Sequence, residues 1–341
     1  FSREFIIMLL AIFLGIIAAL FLSYFDYQVY TKFWPVIAVF CVIIMLVLFK
    51  WGTGPSSRPD ARTWLSIGPV NFQPSELVKI GFIITFGVHL DKVKEKINNI
   101  FSILQLGAHA AVPIVLVAAT GDMGSALVFM VIAIVMMFVA GVHWGYFLGG
   151  IALVGAATPL IWTYVLKQLQ KDRFLALIYP DLYPDIIYQQ QRGLNAIGAG
   201  GITGQGLFKG AYTQAGAVPE SQNDMIFSVV GEELGFIGCI TALLLIVLIT
   251  VRIIYVGKKS SEQSTNLICT GMAAMIIGQM IINVGMCLML LPVIGITLPF
   301  FSAGGSSNLC VYLGIGIVMS IYRHNCDTGA VNIRVYDSLK K

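Results

Sequence analysis

Asp224 is the residue of this 341-residue chain whose surroundings best suit chemistry. It lies where a polar stretch, residues 218–223, runs without a clear break into a long apolar segment. A carboxylate there lies at a membrane–water boundary, near the positive end of a helix dipole that favours its ionised form. It can reach water on one side and a lipid head group on the other. The alternative is an N-cap, the role that local sequence alone favours.

Glu76 and Lys79 form a second candidate pair, three residues apart at the start of a predicted span and therefore on one helix face. A charged pair that enters a membrane is costly unless its members bind each other or line a wet cavity. We therefore predict that the two residues line a functional cavity together. A purely structural ion pair, with Glu76 compensating the helix dipole, is the alternative.

Three further acidic residues give weaker signals. Asp122 lies in a tight turn, residues 121–124 (GDMG), where turn chemistry alone predicts a structural role. Glu232 and Glu233 follow Asp224 by about two helical turns. Because they are adjacent, we expect them to point in different directions, so that at most one faces the same cavity as Asp224.

Three cations are candidates for contact with a phosphate. Arg192 and Lys209 flank a glycine-rich run, residues 195–206, and Arg62 lies in the loop at residues 50–75. Glycine at that density lets the backbone approach a ligand closely or form anion-binding nests. A flexible surface loop is the alternative interpretation of the run.

The composition of the chain defines its class. Hydrophobic residues make up 57% and charged residues 11%, against about 25% charged in soluble domains, and the mean hydropathy is +0.86. A backbone in a bilayer core must satisfy its own polar groups, so repeated apolar runs predict an all-α polytopic membrane protein. The nine predicted spans are residues 5–24, 35–49, 76–90, 100–120, 125–141, 146–166, 225–256, 265–291 and 305–322.

Cysteines, histidines and nucleotide motifs argue against other classes. The six cysteines form no C-x-x-C pair and the four histidines are scattered, so they predict neither a disulfide framework nor a metal site. The chain has no P-loop and no G-x-G-x-x-G after a strand, so nothing points to ATP-driven work.

Basic residues predict the orientation in the membrane. They concentrate on one side of the nine-span alternation, which we predict to be cytoplasmic: Lys92, Lys94, Lys96, Lys258, Lys259 and Arg323. The N-terminus and the loops at residues 50–75 and 167–224 then face outward, which leads us to expect one further span upstream. The loop at 167–224 is long enough to be functional or partly structured. Residues 291–307 mix apolar and turn-forming types and are predicted to fold back against the bundle.

An ordered set of short motifs resembles the SEDS family, the shape, elongation, division and sporulation proteins that include RodA and FtsW. The matching residues are 72–79 (FQPSELVK), 121–124 (GDMG), 196–206 (AIGAGGITGQG), 219–220 (PE), 224–227 (DMIF), 232–235 (EELG), 291–295 (LPVIG), 298–299 (LP) and 304–307 (GGSS). Residues 314–321 (GIGIVMSI) are more similar to RodA than to FtsW.

The resemblance implies both a fold and an activity. The family has ten spans, so the nine predicted here match its second to tenth, with the long extracellular loop at 167–224. SEDS proteins are peptidoglycan glycosyltransferases that polymerise lipid II beside a class B penicillin-binding protein, which cross-links the product. The resemblance makes Asp224 the essential carboxylate and adds Glu220 and Ser306, which lie within matched motifs, to the candidate site residues.

The chemistry of that reaction assigns a role to Asp224. It is a general base that takes the proton of the acceptor sugar hydroxyl as this attacks the donor's anomeric carbon. The leaving lipid diphosphate needs cationic stabilisation. Arg62, Arg192, Lys209 or a divalent cation, Mg2+ or Mn2+, could supply it.

Two other functions compete with the polymerase: a lipid II flippase and a scaffold that recruits the transpeptidase. A flippase needs polar residues through the whole bundle, whereas the ionisable residues here cluster towards the outer side, which favours the enzyme. Small residues let helices approach closely in lipid. We therefore expect the partner's span to pack along the last two spans, at Gly271, Ala273, Ala274, Gly278, Gly285, Gly314 and Gly316.

Overall fold

The computed structural model describes residues 3–54, 61–68 and 70–339. These residues are almost entirely helical. In chain order the helices are α1 (Arg3–Tyr24), α2 (Tyr27–Lys32), α3 (Trp34–Trp51), α4 (Pro74–Lys92), α5 (Ile100–Ala119), α6 (Met123–Val139), α7 (Trp144–Leu160), α8 (Gln168–Ile178), α9 (Pro184–Gly200), α10 (Ala211–Gln214), α11 (Ile226–Lys258), α12 (Gln263–Cys287) and α13 (Gly305–Leu339). A short antiparallel hairpin, β1 (Leu65–Ile67) and β2 (Val70–Phe72), precedes α4.

Each of the nine predicted spans corresponds to a helix, which confirms the all-α membrane fold. In the part of the chain that the structure describes, seven helical stretches are long and apolar enough to cross a membrane: α1, α3, α5, α7 with the π-helical turn after it, α11, α12 and α13. The other two predicted spans are α4, which carries Glu76 and Lys79, and α6, which has only 17 residues.

The helices group into two compact units, each made of separate stretches of chain. Unit 1 comprises Phe1–Gly141, Ile249–Ile276 and Gly304–Lys341, and unit 2 comprises Val142–Leu248 and Ile277–Ala303. The expectation of one membrane domain over residues 1–341 stays a prediction.

Close helix packing in unit 1 uses the small residues of α12 and α13. A side chain on Gly316 would lie 2.7 Å from the Cα of Ala19 in α1, and one on Gly271 would lie 2.6 Å from Ile83 in α4. Of the most apolar window of α12, 83% is buried inside the protein. The prediction that this stripe receives a partner's span is therefore wrong, because these glycines already let the protein's own helices approach each other.

The segment 167–224 in unit 2 is largely helical. The first half of the predicted glycine-rich loop lies inside α9, which continues to Gly200. A side chain on Gly200 would lie 2.8 Å from the backbone oxygen of Glu232 in α11. We therefore correct the loop interpretation for residues 195–200: there glycine permits close helix contact, and the irregular chain begins only at Gly201.

Helix α11 is broken at Gly235, whose φ of 67° and ψ of −166° are not helical. The turn at residues 201–206 is inserted into the break. The N–H groups of Phe236 and Ile237 donate to the carbonyls of Gly201 and Ile202 (2.9 and 3.1 Å). Two N–H groups of the same turn donate to the carbonyls that the break leaves free, those of Glu232 and Glu233 (both 3.0 Å). These four bonds make the break tolerable in a spanning helix, because they give new partners to backbone groups that it frees.

Candidate active site

Asp224 lies in unit 2, half-buried in the turn that precedes α11. The backbone carbonyl of this residue accepts a hydrogen bond of 2.8 Å from the side-chain amide of Asn283 on α12. The same amide donates to the carbonyl of Ile296 (2.7 Å), and Asn283 is completely buried. One buried amide therefore joins the Asp224 turn to the segment that follows α12.

The segment after α12 folds back onto this turn, which confirms the prediction for residues 291–303. The hydroxyl of Ser302 donates to the carbonyl of Asn223 (2.8 Å) and accepts from the N–H of Leu298 (2.8 Å). The N–H of Ala303 donates to the carbonyl of Gln222 (2.8 Å). Together with the bond from Asn283, these contacts hold the carbonyls of three successive residues, Gln222, Asn223 and Asp224.

Glu220 shapes the start of the same turn. It has a positive φ of 51°, which is uncommon for a residue with a side chain. Its exposed carboxylate accepts from the side-chain amide of Asn223 (2.9 Å), and its carbonyl accepts from the N–H of Met225 (3.1 Å). The candidate role of Glu220 thus includes holding the turn in shape.

The carboxylates of Glu232 and Glu233 bind one segment, residues 206–214. Glu232 accepts from the N–H groups of Tyr212 (2.6 Å) and Thr213 (2.9 Å). Glu233 accepts from the N–H of Phe208 (2.9 Å). Both carboxylates are therefore held by one segment, and the expectation that at most one of them faces the cavity of Asp224 stays a prediction.

The two candidate cations of unit 2 differ in their surroundings. The guanidinium of Arg192 is half-buried and stacks on the ring of Tyr188, with Cζ 5.1 Å from the ring centroid. Lys209 is exposed at the end of the irregular turn. Stacking fixes the position of Arg192 and leaves its positive charge available to a ligand.

The predicted pair of Glu76 and Lys79 is present in unit 1. The ammonium of Lys79 donates to the carboxylate of Glu76 at 2.8 Å, and both side chains are buried. Removing one partner would leave an uncompensated buried charge, so each is essential to the other. Whether the pair also lines a functional cavity stays a prediction.

Asp122, Ser306 and Arg62 make structural contacts in the same unit. Asp122 caps α6 through the N–H of Ser125 (3.0 Å) and accepts from Gln73 Nε2 (2.8 Å), which confirms its structural role. The hydroxyl of Ser306 accepts from the backbone N–H of Gln73 (3.1 Å). The guanidinium of Arg62 donates to the carbonyl of Phe49 at the end of α3. These contacts tie the start of α4 to its neighbours.

An apolar cavity of about 150 Å³ lies between α3, α4 and α5. Its lining includes Met45, Phe82 and His109 and none of the candidate site residues. The ring of His109 contacts the ring of His89 through their Nδ1 atoms at 2.9 Å. The polar side chains of the candidate site therefore do not line this cavity.

The predicted site residues therefore fall into two groups. Unit 1 holds Glu76, Lys79, Arg62, Asp122 and Ser306, and unit 2 holds Asp224, Arg192, Lys209, Glu220, Glu232 and Glu233. Sequence reasoning missed Asn283 and Ser302. An amide in the middle of an apolar span is a signal that could have found Asn283, because lone polar groups are costly in a membrane.

Comparison with known proteins identifies the family of this chain. The fold is that of a polytopic helical membrane protein, with a carboxylate held at the start of a span. The family model described as "Cell cycle protein", which covers FtsW, RodA and SpoVE, matches residues 3–327. The chain belongs to this family.

Several characterised relatives are similar over nearly the whole chain. "Peptidoglycan glycosyltransferase MrdB" of Escherichia coli strain K12 is 29% identical over 314 residues, covering 91% of this chain and 83% of that protein. "Probable peptidoglycan glycosyltransferase FtsW" of Geobacter sp. strain M18 is 32% identical over 303 residues, covering 87% and 80%. Because these identities are close, the closer similarity to RodA stays a prediction.

A solved structure shares the fold. It is a chain of a peptidoglycan synthase complex that coordinates polymerization and crosslinking, with a TM-score of 0.81 and 26% identity. The match covers 94% of this chain and 90% of that one.

Proposed function

We propose that the protein is a peptidoglycan glycosyltransferase that polymerises lipid II into glycan strands for cell-wall elongation and shape. The observation that carries this proposal is the half-buried Asp224 turn, held by Asn283 and Ser302, in a chain whose relatives bear that activity in their names.

Asp224 is the general base of the proposed reaction. Its carboxylate takes the proton of the acceptor sugar hydroxyl while the hydroxyl oxygen forms a bond to the anomeric carbon of the donor. The bond between that carbon and the phosphate oxygen breaks, and the lipid diphosphate leaves with the electron pair. A base must lie within hydrogen-bond reach of the proton that it takes, so the fixed position of the turn is part of the mechanism.

The leaving diphosphate needs positive charge. In unit 2, Arg192 and Lys209 are the candidates, whereas Arg62 in unit 1 already binds a backbone carbonyl. Within the described residues, no three His, Cys, Asp or Glu side chains are grouped to hold a metal ion. A Mg2+ or Mn2+ ion would therefore share one carboxylate, such as Asp224, with the phosphate oxygens of the substrate.

The proposal includes the place of action and a partner. The chain acts in the bacterial cytoplasmic membrane with Asp224 on the outer side, where lipid II is polymerised. A class B penicillin-binding protein cross-links the strands beside it. The synthase complex that shares the fold couples polymerization to crosslinking, which supports a partner of this type.

The decisive experiment is a gel assay for glycan strands made from purified lipid II. We expect Asp224→Asn to lose polymerisation and to remain folded, since the amide keeps shape and capping ability and lacks basicity. Asp181→Asn is the matched control, because Asp181 is an exposed carboxylate of the same unit outside the site.

Near wild-type strand synthesis by Asp224→Asn would reduce Asp224 to a structural cap. A wild-type protein that makes no strands and moves labelled lipid II across liposome membranes would instead be a flippase. One that does neither and still binds the transpeptidase would be a scaffold.

A further inference from the structure

A basic-aromatic cluster lies at one end of unit 1 and includes no residue of the proposed reaction. It consists of Tyr24, Arg252, Tyr255, Lys259, Tyr322 and Arg323. These residues come from the ends of α1 and α11, the chain just after α11, and the middle of α13. A hydrogen bond of 3.2 Å from Asn325 to the carbonyl of Val256 holds α13 against α11 beside the cluster.

Aromatic rings position the cations of the cluster. The guanidinium carbon of Arg252 lies 5.1 Å from the ring centroid of Tyr255 and 5.5 Å from that of Tyr322. The ammonium of Lys259 lies 4.8 Å from the Tyr255 ring, and the guanidinium of Arg323 lies 5.1 Å from the Tyr24 ring. Stacking on a ring orders a cation and does not neutralise its charge.

The cluster lies at the level of lipid head groups. Helix α1 ends at Tyr24 and α11 ends at Lys258, so the cluster marks the end of two membrane spans. The three tyrosines are exposed, Tyr24 at 75%, Tyr255 at 44% and Tyr322 at 45%. Exposed tyrosines at span ends belong to the aromatic belt of the membrane–water interface.

The charges near the cluster favour an anion. Among residues 6–326, as far as the structure describes their side chains, no carboxylate forms a salt bridge with Arg252, Lys259 or Arg323. Asp26, which follows α1 directly, lies 3.8 Å from His324.

We propose that the basic-aromatic cluster binds the phosphodiester of an anionic phospholipid in the inner leaflet. The cations meet the phosphate, and the tyrosine rings pack against the glycerol and the first carbons of the acyl chains. Basic sites between spanning helices select anionic head groups in this way.

The general excess of positive charge on one side of the membrane is the competing explanation of the cluster. The loop after α4 carries Lys94 and Lys96 with the same bias. Lys94 is paired with Asp91 at 3.0 Å, and Lys96 is exposed. This loop therefore offers a matched loss of two charges outside the proposed site.

The test is native mass spectrometry of the full chain in detergent with equal amounts of phosphatidylglycerol and phosphatidylcholine. We expect the wild type to retain phosphatidylglycerol preferentially. The double variant Arg252→Gln, Lys259→Gln should bind it about 30-fold more weakly, several-fold for each cation lost. The control Lys94→Gln, Lys96→Gln should bind like the wild type.

Three results would overturn the proposal. They are no preference for phosphatidylglycerol in the wild type, equal losses in the two double variants, and displacement of the lipid by excess inorganic phosphate, which would indicate a soluble ligand. Should the Arg252→Gln, Lys259→Gln variant unfold, Tyr322→Leu provides the second test. This substitution keeps every charge and removes one ring. At a specific site, phosphatidylglycerol binding should weaken several-fold; binding that depends only on diffuse charge would stay unchanged and would overturn the proposal.

Discussion

Asn283→Leu tests whether the proposed base, Asp224, depends on the hydrogen bonds that the Asn283 amide donates. The substitution keeps the approximate size of the side chain and removes both hydrogen bonds of the amide, to the carbonyls of Asp224 and Ile296. The Ile296 carbonyl loses its donor at a cost of about 1–3 kcal/mol if the turn stays in place, while the half-buried Asp224 carbonyl keeps only the weak bond from the Cys287 thiol (3.6 Å). The turn escapes this cost by moving, which carries Asp224 away from its productive position.

The expected kinetic effect follows from that movement. A displacement of about 1 Å at a reacting group costs about 100-fold in rate, so we expect kcat for lipid II polymerisation to fall by 10- to 100-fold, roughly. KM should change little, because Asn283 supports the base through the backbone. Initial rates over a range of lipid II concentrations give both constants.

Gln190→Leu is the matched control in the same unit. Gln190 is also buried and also donates to two carbonyls, those of Met286 (2.9 Å) and Leu291 (2.7 Å), neither of which belongs to the Asp224 turn. Both variants should lower the melting temperature by similar amounts, and kcat should fall much further for Asn283→Leu. Equal losses of kcat, or a near wild-type kcat for Asn283→Leu, would refute a positioning role.

Two predictions concern stability. In a double-mutant cycle, Glu76→Gln or Lys79→Met alone should destabilise the protein by about 3–5 kcal/mol, because each single change leaves a buried charge. The double variant should lose less stability than the sum of the two single variants. Additive effects on the melting temperature would refute the pairing. Gly235→Ala should destabilise unit 2, since φ is 67° and a side chain would meet the 202–204 backbone. Gly216→Ala is its control, because Gly216 has a φ of 63° in open space; equal losses for the two would show that backbone strain alone matters.

Sequence alone predicted the features that depend on local composition. The nine spans follow from apolar runs, the Glu76–Lys79 pair from helical spacing, and the structural role of Asp122 from turn chemistry. Each of these signals lies within a few residues of the feature that it predicts, so no knowledge of the rest of the fold is needed.

The missed features all depend on contacts between distant segments. Asn283 is 59 residues from Asp224 in the chain, and no periodicity indicates that its amide meets that carbonyl. The glycines of 195–206 have the composition of a loop, and only contact with α11 reveals that Gly200 permits helix packing. The stripe of small residues on α12 was assigned to a partner because sequence cannot distinguish an internal neighbour from an external one.

The position of Asp224 is determined at both ends of a short helix. The break at Gly235 limits the first segment of α11 to residues 226–234. At its start, Asn283 and Ser302 hold the turn that carries Asp224. At its end, the 201–206 turn forms hydrogen bonds with backbone groups that the break frees. Few of these contacts are internal to the segment, so its placement follows tertiary packing more than helix propensity. Substitutions at Asn283 and Gly235, at opposite ends, should therefore act on one quantity, the distance between the Asp224 carboxylate and the acceptor hydroxyl, and both should lower kcat more than they raise KM.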